Sequence, residues 1–178
     1  MINNRDAERH LFFDISIINN YPEDIQNKVL NLLERNELNI YLIKKYPGVH
    51  NINSNKLLFK YAQRLKKQYM KNASPLHKVV YDDSIERVYD ALGFNRSTSR
   101  IHGKGLKVTK EIRISSIFKK APKELLDMII IHELAHLKVQ DHNKRFYSLC
   151  EHMNPDYFQL EFDLKLYLIY LNNINKLQ

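Results

Sequence analysis

An α+β fold is expected for this 178-residue chain, and three observations carry the expectation. Capped segments of helical periodicity occupy both ends. Short segments in the middle alternate apolar and polar residues. A helix apolar on nearly every side carries His132, Glu133 and His136. Helices come first, then a small sheet, a buried helix and packing helices, so the two kinds of element are segregated. The sheet is expected to be antiparallel. The chain suits a single domain over 1–178, with a helical part over 1–74 and a core over 75–178.

Pro22 fits the first turn of a helix, and Ile25, Val29, Leu32 and Leu33 give that helix its apolar face. A second helix is expected over 37–45, stopped by Tyr46-Pro47-Gly48. A third spans 55–71 with Ser54 as its cap, and its apolar stripe runs from Leu57 and Leu58 through Tyr61, Ala62 and Leu65 to Tyr69 and Met70. Lys56, Lys60, Arg64, Lys67 and Lys71 lie elsewhere on it. A solvated face is their ordinary reading, a phosphate grip the alternative. A strand over 78–81 precedes a helix over 85–92. Residues 98–102 and 111–115 read as extended, with Gly103-Lys104-Gly105 as the turn between them. Ile112 and Ile114 alternate with Arg113, which puts Arg113 on the opposite face. Pro122 opens the histidine-bearing helix, expected to reach about residue 138. Asp141 is a candidate cap for the next, over 143–153, and Asn154-Pro155 starts a last helix reaching about residue 172.

Composition narrows the class of partner. The formal net charge is +8, with a pI of about 9.4, which favours an anionic ligand such as a phosphorylated small molecule. Nucleic acid fits the same charge and ranks below it. The lone Cys150 excludes an internal disulfide framework and suits a reducing compartment, so a cytoplasmic setting is expected. No apolar run is long enough to span a membrane, and the first ten residues lack the apolar centre of a signal peptide.

His132 and His136 stand four residues apart, so on a helix both rings project from one face and can share an ion. Glu133 falls where zincin-type helices hold a general base. His142, six residues past His136, adds a third imidazole with the overall spacing of the metzincin pattern. Val139 replaces that pattern's glycine, so the subclass does not follow. Two histidines and a glutamate on so apolar a helix are costly to bury without partners, which makes a metal site the economical reading. Three neutral imidazoles with an open position suit catalytic zinc, and imidazole also takes other divalent transition metals. Glu151, His152 and Glu161 have two readings of at least equal standing, an ordinary place on a helix surface and a role orienting the ligands from behind.

The stretch over 127–163 resembles the YgjP-like metal-dependent hydrolases, a zincin-like group. The resemblance rests on His132-Glu133-Leu134-Ala135-His136-Leu137, on His142, and on the aromatic Phe146 four residues later. Ser99-Arg100-Ile101, Glu111-Ile112-Arg113-Ile114 and Tyr46-Pro47-Gly48 are similar to further segments of that family, so the likeness covers about 21–168. Where many members carry an Arg-Trp-Gly-Ser-Cys-like segment, this chain has Arg100-Ile101-His102-Gly103-Lys104. The nearest branch is described as UTP pyrophosphatases; other members are described as metallopeptidases.

The resemblance and the basic charge together imply nucleoside triphosphate pyrophosphohydrolysis. His132, His136 and His142 would hold the ion, Glu133 would take a proton from an activated water, and pyrophosphate would leave. Arg100, Lys104, Lys107 and Arg113 are the candidate phosphate contacts, and Mg2+ could accompany the triphosphate. The alternative is a zinc peptidase using the same centre, with Tyr147 or His152 at the oxyanion, acting on nucleic-acid-bound proteins. A structural metal site completed by Cys150 ranks last, because it leaves Glu133 without a role.

Overall fold

The computed structural model describes residues 14–84 and 111–176. These fall into two compact units, one of residues 1–47 with 161–178 and the other of residues 48–160. Among the described residues there are six α-helices and a two-stranded sheet, an α+β set of elements.

In the first unit a 3₁₀ turn, Ser16–Ile18, precedes α1 (Glu23–Glu34) and α2 (Leu38–Lys45). Pro22 stands immediately before α1, as its fixed φ and missing N–H favour. Asn36, between the two helices, takes a φ of 53°, a left-handed position that asparagine tolerates better than most residues. Ile15, Ile18, Leu30, Leu38 and Leu42 close a core together with Leu166 and Ile169. The fully buried carboxylate of Asp163 accepts hydrogen bonds from Tyr46 and from Lys45, at 2.5 and 2.6 Å. Such partners offset the cost of burying a charge.

The second unit holds α3 (Asn55–Tyr69), β1 (Lys78–Asp82), β2 (Glu111–Ser115), a 3₁₀ turn (Ser116–Lys119), α4 (Lys123–Ala135), α5 (Lys144–Met153) and the first residues of α6 (Tyr157–Lys176). Ser54 caps α3 by accepting from the Leu57 N–H. Leu58, Tyr61 and Ala62 are buried along the expected stripe, whereas Leu57 at its edge is exposed. Lys56, Lys60, Arg64, Lys67 and Lys71 are exposed.

β1 and β2 run parallel, in the register Lys78↔Glu111 to Asp82↔Ser115, which corrects the antiparallel sheet expected from sequence. A parallel pair needs a crossover of about a dozen residues or more, and the long connection after Asp82 supplies it. The expected helix over 85–92 and extended segment over 98–102 lie outside the described residues. Ile112 and Ile114 are buried and Arg113 is exposed, the alternation that a strand imposes.

α3 packs on β1 and on α4, while α4 packs on β2 and α5. Pro122 stands at the start of α4, as expected, and bridges back to Val49. Nine of the thirteen residues of α4 are buried, including Leu125, Leu126, Ile129, Ile130 and Leu134. Regular helix stops at Ala135 rather than near 138, and α6 starts at Tyr157, two residues past Pro155.

Asp82 stands opposite Ser115, and Arg113, two residues earlier on the neighbouring strand, reaches it along the diagonal at 2.9 Å. Hydrogen bonds from Ser84, then from Arg113, hold the Asp82 carboxyl down to about 2 against an ordinary 3.8. A depressed carboxyl stabilises the fold above its unfolded pKa, and that contribution disappears as pH falls through the folded value. Acid unfolding is therefore expected to steepen between about pH 4 and pH 2. Asp82→Asn should lower stability at neutral pH and flatten that limb, as measured by denaturant titration at stepped pH.

Candidate metal centre

His132 lies in the last turn of α4, and His136 caps that helix at its C-terminal end. The i, i+4 spacing turns both rings the same way. Beyond them the backbone tightens: the Leu137 N–H donates to Leu134 O, and the Lys138 and Val139 N–H groups both donate to Ala135 O, each at 3.0 Å. Leu137 and Val139 tuck inward, at 9% and 8% exposure. The chain reverses without the glycine that the metzincin pattern uses, and His142 comes back against the pair.

The cap of α5 follows at once. It is Asn143 rather than Asp141, because Asn143 Oδ1 accepts from the N–H groups of Arg145 and Phe146 at 3.0 and 3.2 Å. Asp141 contributes only its carbonyl, which accepts from the Asn143 N–H at 2.8 Å.

The three Nε2 atoms form a nearly equilateral triangle. His136 and His132 are 3.2 Å apart, and His142 is 3.1 Å from each. Protons cannot account for this. His136 Nδ1 faces the Val139 carbonyl at 3.1 Å and must carry its hydrogen to donate there, which leaves a lone pair on Nε2. At most two hydrogens then serve three contacts, so at least one pair of nitrogens meets with nothing between. A tetrahedral ion with each nitrogen about 2.0 Å away separates its ligands by about 3.3 Å, close to the observed triangle. The donor set fits a metal.

Electrostatics favour the same state. Burial, reinforced by His136 and His142, pushes His132 down to about 3, and burial also lowers His136, so both rings are neutral at pH 7. Neutral imidazole is the form that binds metal. His132 is buried, His136 half-buried and His142 exposed, so the triangle opens toward solvent on the His142 side. Glu133, on α4 beside His132, is half-buried, and burial pushes its carboxyl up to about 7. A group poised there exchanges protons readily near neutral pH.

Two residues hold the rings in place. Phe146 is fully buried and touches all three imidazoles, with centroids 5.0 Å from His132, 4.6 Å from His136 and 4.7 Å from His142. The sequence marked it only as an aromatic of the motif. Tyr157, also fully buried, places its hydroxyl 2.7 Å from His132 Nδ1. It occupies the position expected of Glu151, His152 or Glu161, because α5 turns Glu151 and His152 out to the surface and Glu161 pairs with Lys165. No local signal marks Tyr157, which stands 25 residues from its partner.

Of the proposed phosphate contacts, Arg113 is among the described residues. Arg100, Lys104 and Lys107 lie outside the described residues. Arg113 is on β2, with its guanidinium 2.9 Å from both Asp82 and Glu111. Tyr147 lies 6.4 Å from His142 between ring centres, and His152 meets Tyr69 edge-on.

The family described as YgjP-like, metallopeptidase domain, matches residues 23–167. The chain belongs to the YgjP-like family. A curated relative of this YgjP-like protein, UTP pyrophosphatase of Escherichia coli (strain K12), is 44% identical over 159 residues, covering 89% of this chain and 95% of the relative. No solved structure matches. Family and relative make this YgjP-like protein a metal-dependent hydrolase, and the histidine cluster points to a divalent metal.

Replacing Tyr157 with Phe removes the hydroxyl at His132 while keeping the ring. Partners of this kind are worth about 10- to 100-fold in metal affinity. Competition against a chelator should find that loss in Tyr157→Phe, with the circular dichroism of the folded protein unchanged.

Proposed function

We propose that this protein hydrolyses nucleoside triphosphates, UTP first, to the monophosphate and pyrophosphate. Three imidazole nitrogens converging on the helix that also carries Glu133, a carboxyl of raised pKa, carry the chemical half of the reading. The substrate comes from the relative named UTP pyrophosphatase, 44% identical over 89% of the chain.

His132, His136 and His142 would hold the ion, with zinc the first choice for three imidazoles and other divalent transition metals able to replace it. Such an ion supplies a Lewis acid that makes water acidic enough to ionise near neutral pH. Glu133 takes the proton that this water gives up. The water oxygen bonds to the α-phosphorus, the bond from that phosphorus to the bridging oxygen breaks, and pyrophosphate carries away the electron pair. Burial suits Glu133 to this part, since a carboxyl near 7 can both accept a proton and return it to the leaving group.

Arg100, Lys104, Lys107 and Arg113 are the proposed contacts to the phosphates, in a chain whose net charge is +8. Arg113 would have to exchange Asp82 or Glu111 for a phosphate. Mg2+ would enter with the nucleotide, held mainly by phosphate oxygens. A cytoplasmic setting fits a nucleotide substrate and the buried thiol of Cys150. The family's description as a metallopeptidase domain sustains peptide hydrolysis as the second reading.

The test is pyrophosphate release from the four common nucleoside triphosphates, run beside cleavage of an unfolded protein. Glu133→Gln should lose about 10²- to 10⁴-fold in turnover while keeping its metal. Undiminished release in that variant would remove Glu133 from the mechanism. Proteolysis without nucleotide turnover would establish the second reading.

A further inference from the structure

We infer that the exposed ring of Phe158, backed by Tyr147, is the platform on which the substrate's nucleobase stacks. The inference rests on the nucleotide reading above and gives that reading a place for the base.

A run of rings leads away from the histidine triangle through His142. His142 is its exposed member. Tyr147 follows at 6.4 Å between centroids, inclined 35° to His142. Phe158 comes next, 5.4 Å from Tyr147 and inclined 33°. Each successive pair is thus closer to parallel than to edge-on. Tyr157 closes the rear, 5.7 Å from Phe158 at 78°, so the ring is supported on its inner side. The two contacts put Phe158 within about 12 Å of the His142 ring centre, so a nucleotide with its α-phosphorus at the histidines must be extended for its base to stack on Phe158.

Phe158 is 48% exposed although it adjoins a fully buried cluster. Its backbone explains why it stays out. Tyr157 begins α6 and points inward to His132, so the next position on the helix faces another way. Single exposed apolar side chains are ordinary on protein surfaces. This one differs in ending a run of rings that starts at the candidate metal centre. An aromatic face holds any base, because every base has a π-face. The platform therefore anchors the nucleoside without choosing among bases, and the preference for uracil must come from hydrogen-bonding groups elsewhere.

The experiment uses the metal-loaded full chain. Removing one stacking partner costs about tenfold in affinity. Phe158→Ala should raise KM for both UTP and ATP by about that factor, with kcat moved far less. Inhibition by uridine monophosphate should weaken by the same factor and inhibition by ribose 5-phosphate should not. The chain contains no tryptophan, so Phe158→Trp introduces a single fluorophore at the platform. Uridine monophosphate should quench its emission and ribose 5-phosphate should leave it unchanged. Unaltered KM in Phe158→Ala, equal weakening of both inhibitors, or no quenching by uridine monophosphate would each overturn the platform. Absence of pyrophosphate release from every nucleotide by wild type would instead overturn the nucleotide reading, and the quenching result still decides whether a base binds at Phe158.

Discussion

Three imidazole nitrogens held 3.1–3.2 Å apart, with too few protons to separate them, are the constraint on which the second unit turns. Left alone, such a cluster would relax, since buried acceptors facing one another repel. The surrounding structure prevents it. The Val139 carbonyl fixes the His136 tautomer and the Tyr157 hydroxyl engages His132. Phe146 lies against all three rings, so none can tilt without displacing a fully buried side chain. Interiors packed to crystal-like density give little room for that.

The apolar setting of α4 serves the chemistry as well as the core. Leu125, Leu126, Ile129 and Ile130 exclude water from one side of the helix, and the same burial keeps His132 and His136 neutral and raises the Glu133 carboxyl. Low dielectric strengthens each electrostatic interaction on the buried side of the centre. Cationic help is arranged differently. Arg113 is neutralised by two acidic neighbours, a geometry that braces the sheet.

Much of this was legible in the sequence because it is local. The four-residue spacing of His132 and His136, the Ser54 cap and the alternation around Arg113 are properties of a helix turn or a strand. Features that depend on distant parts of the chain were not. Strand direction hinges on how the long connection after Asp82 returns, and periodicity within each strand is the same for either direction. Glu151 and His152 were attractive for their closeness to His142, yet α5 rotates them to the surface. Tyr157 carries no mark beyond being an aromatic at a helix start. Leu57 failed as a core residue because it sits at the margin of its stripe, where small rotations of a helix decide burial. Asp141 and Asn143 are both sound caps by residue type, and only the position of the turn separates them.

One further property follows from where these groups fall along the chain. Among the described residues, the groups that form and brace the triangle lie between His132 and Tyr157, a separation of 25 residues. Closing a loop of that length costs little chain entropy, and contacts of short sequence range form early in folding. The centre is thus a nearly self-contained segment, two helices with a reversal between them and a hydroxyl at its far end. A cation captured by the nascent pair would favour the hairpin of α4 and α5 before the sheet is complete, since binding energy spent on a partly formed site is folding energy.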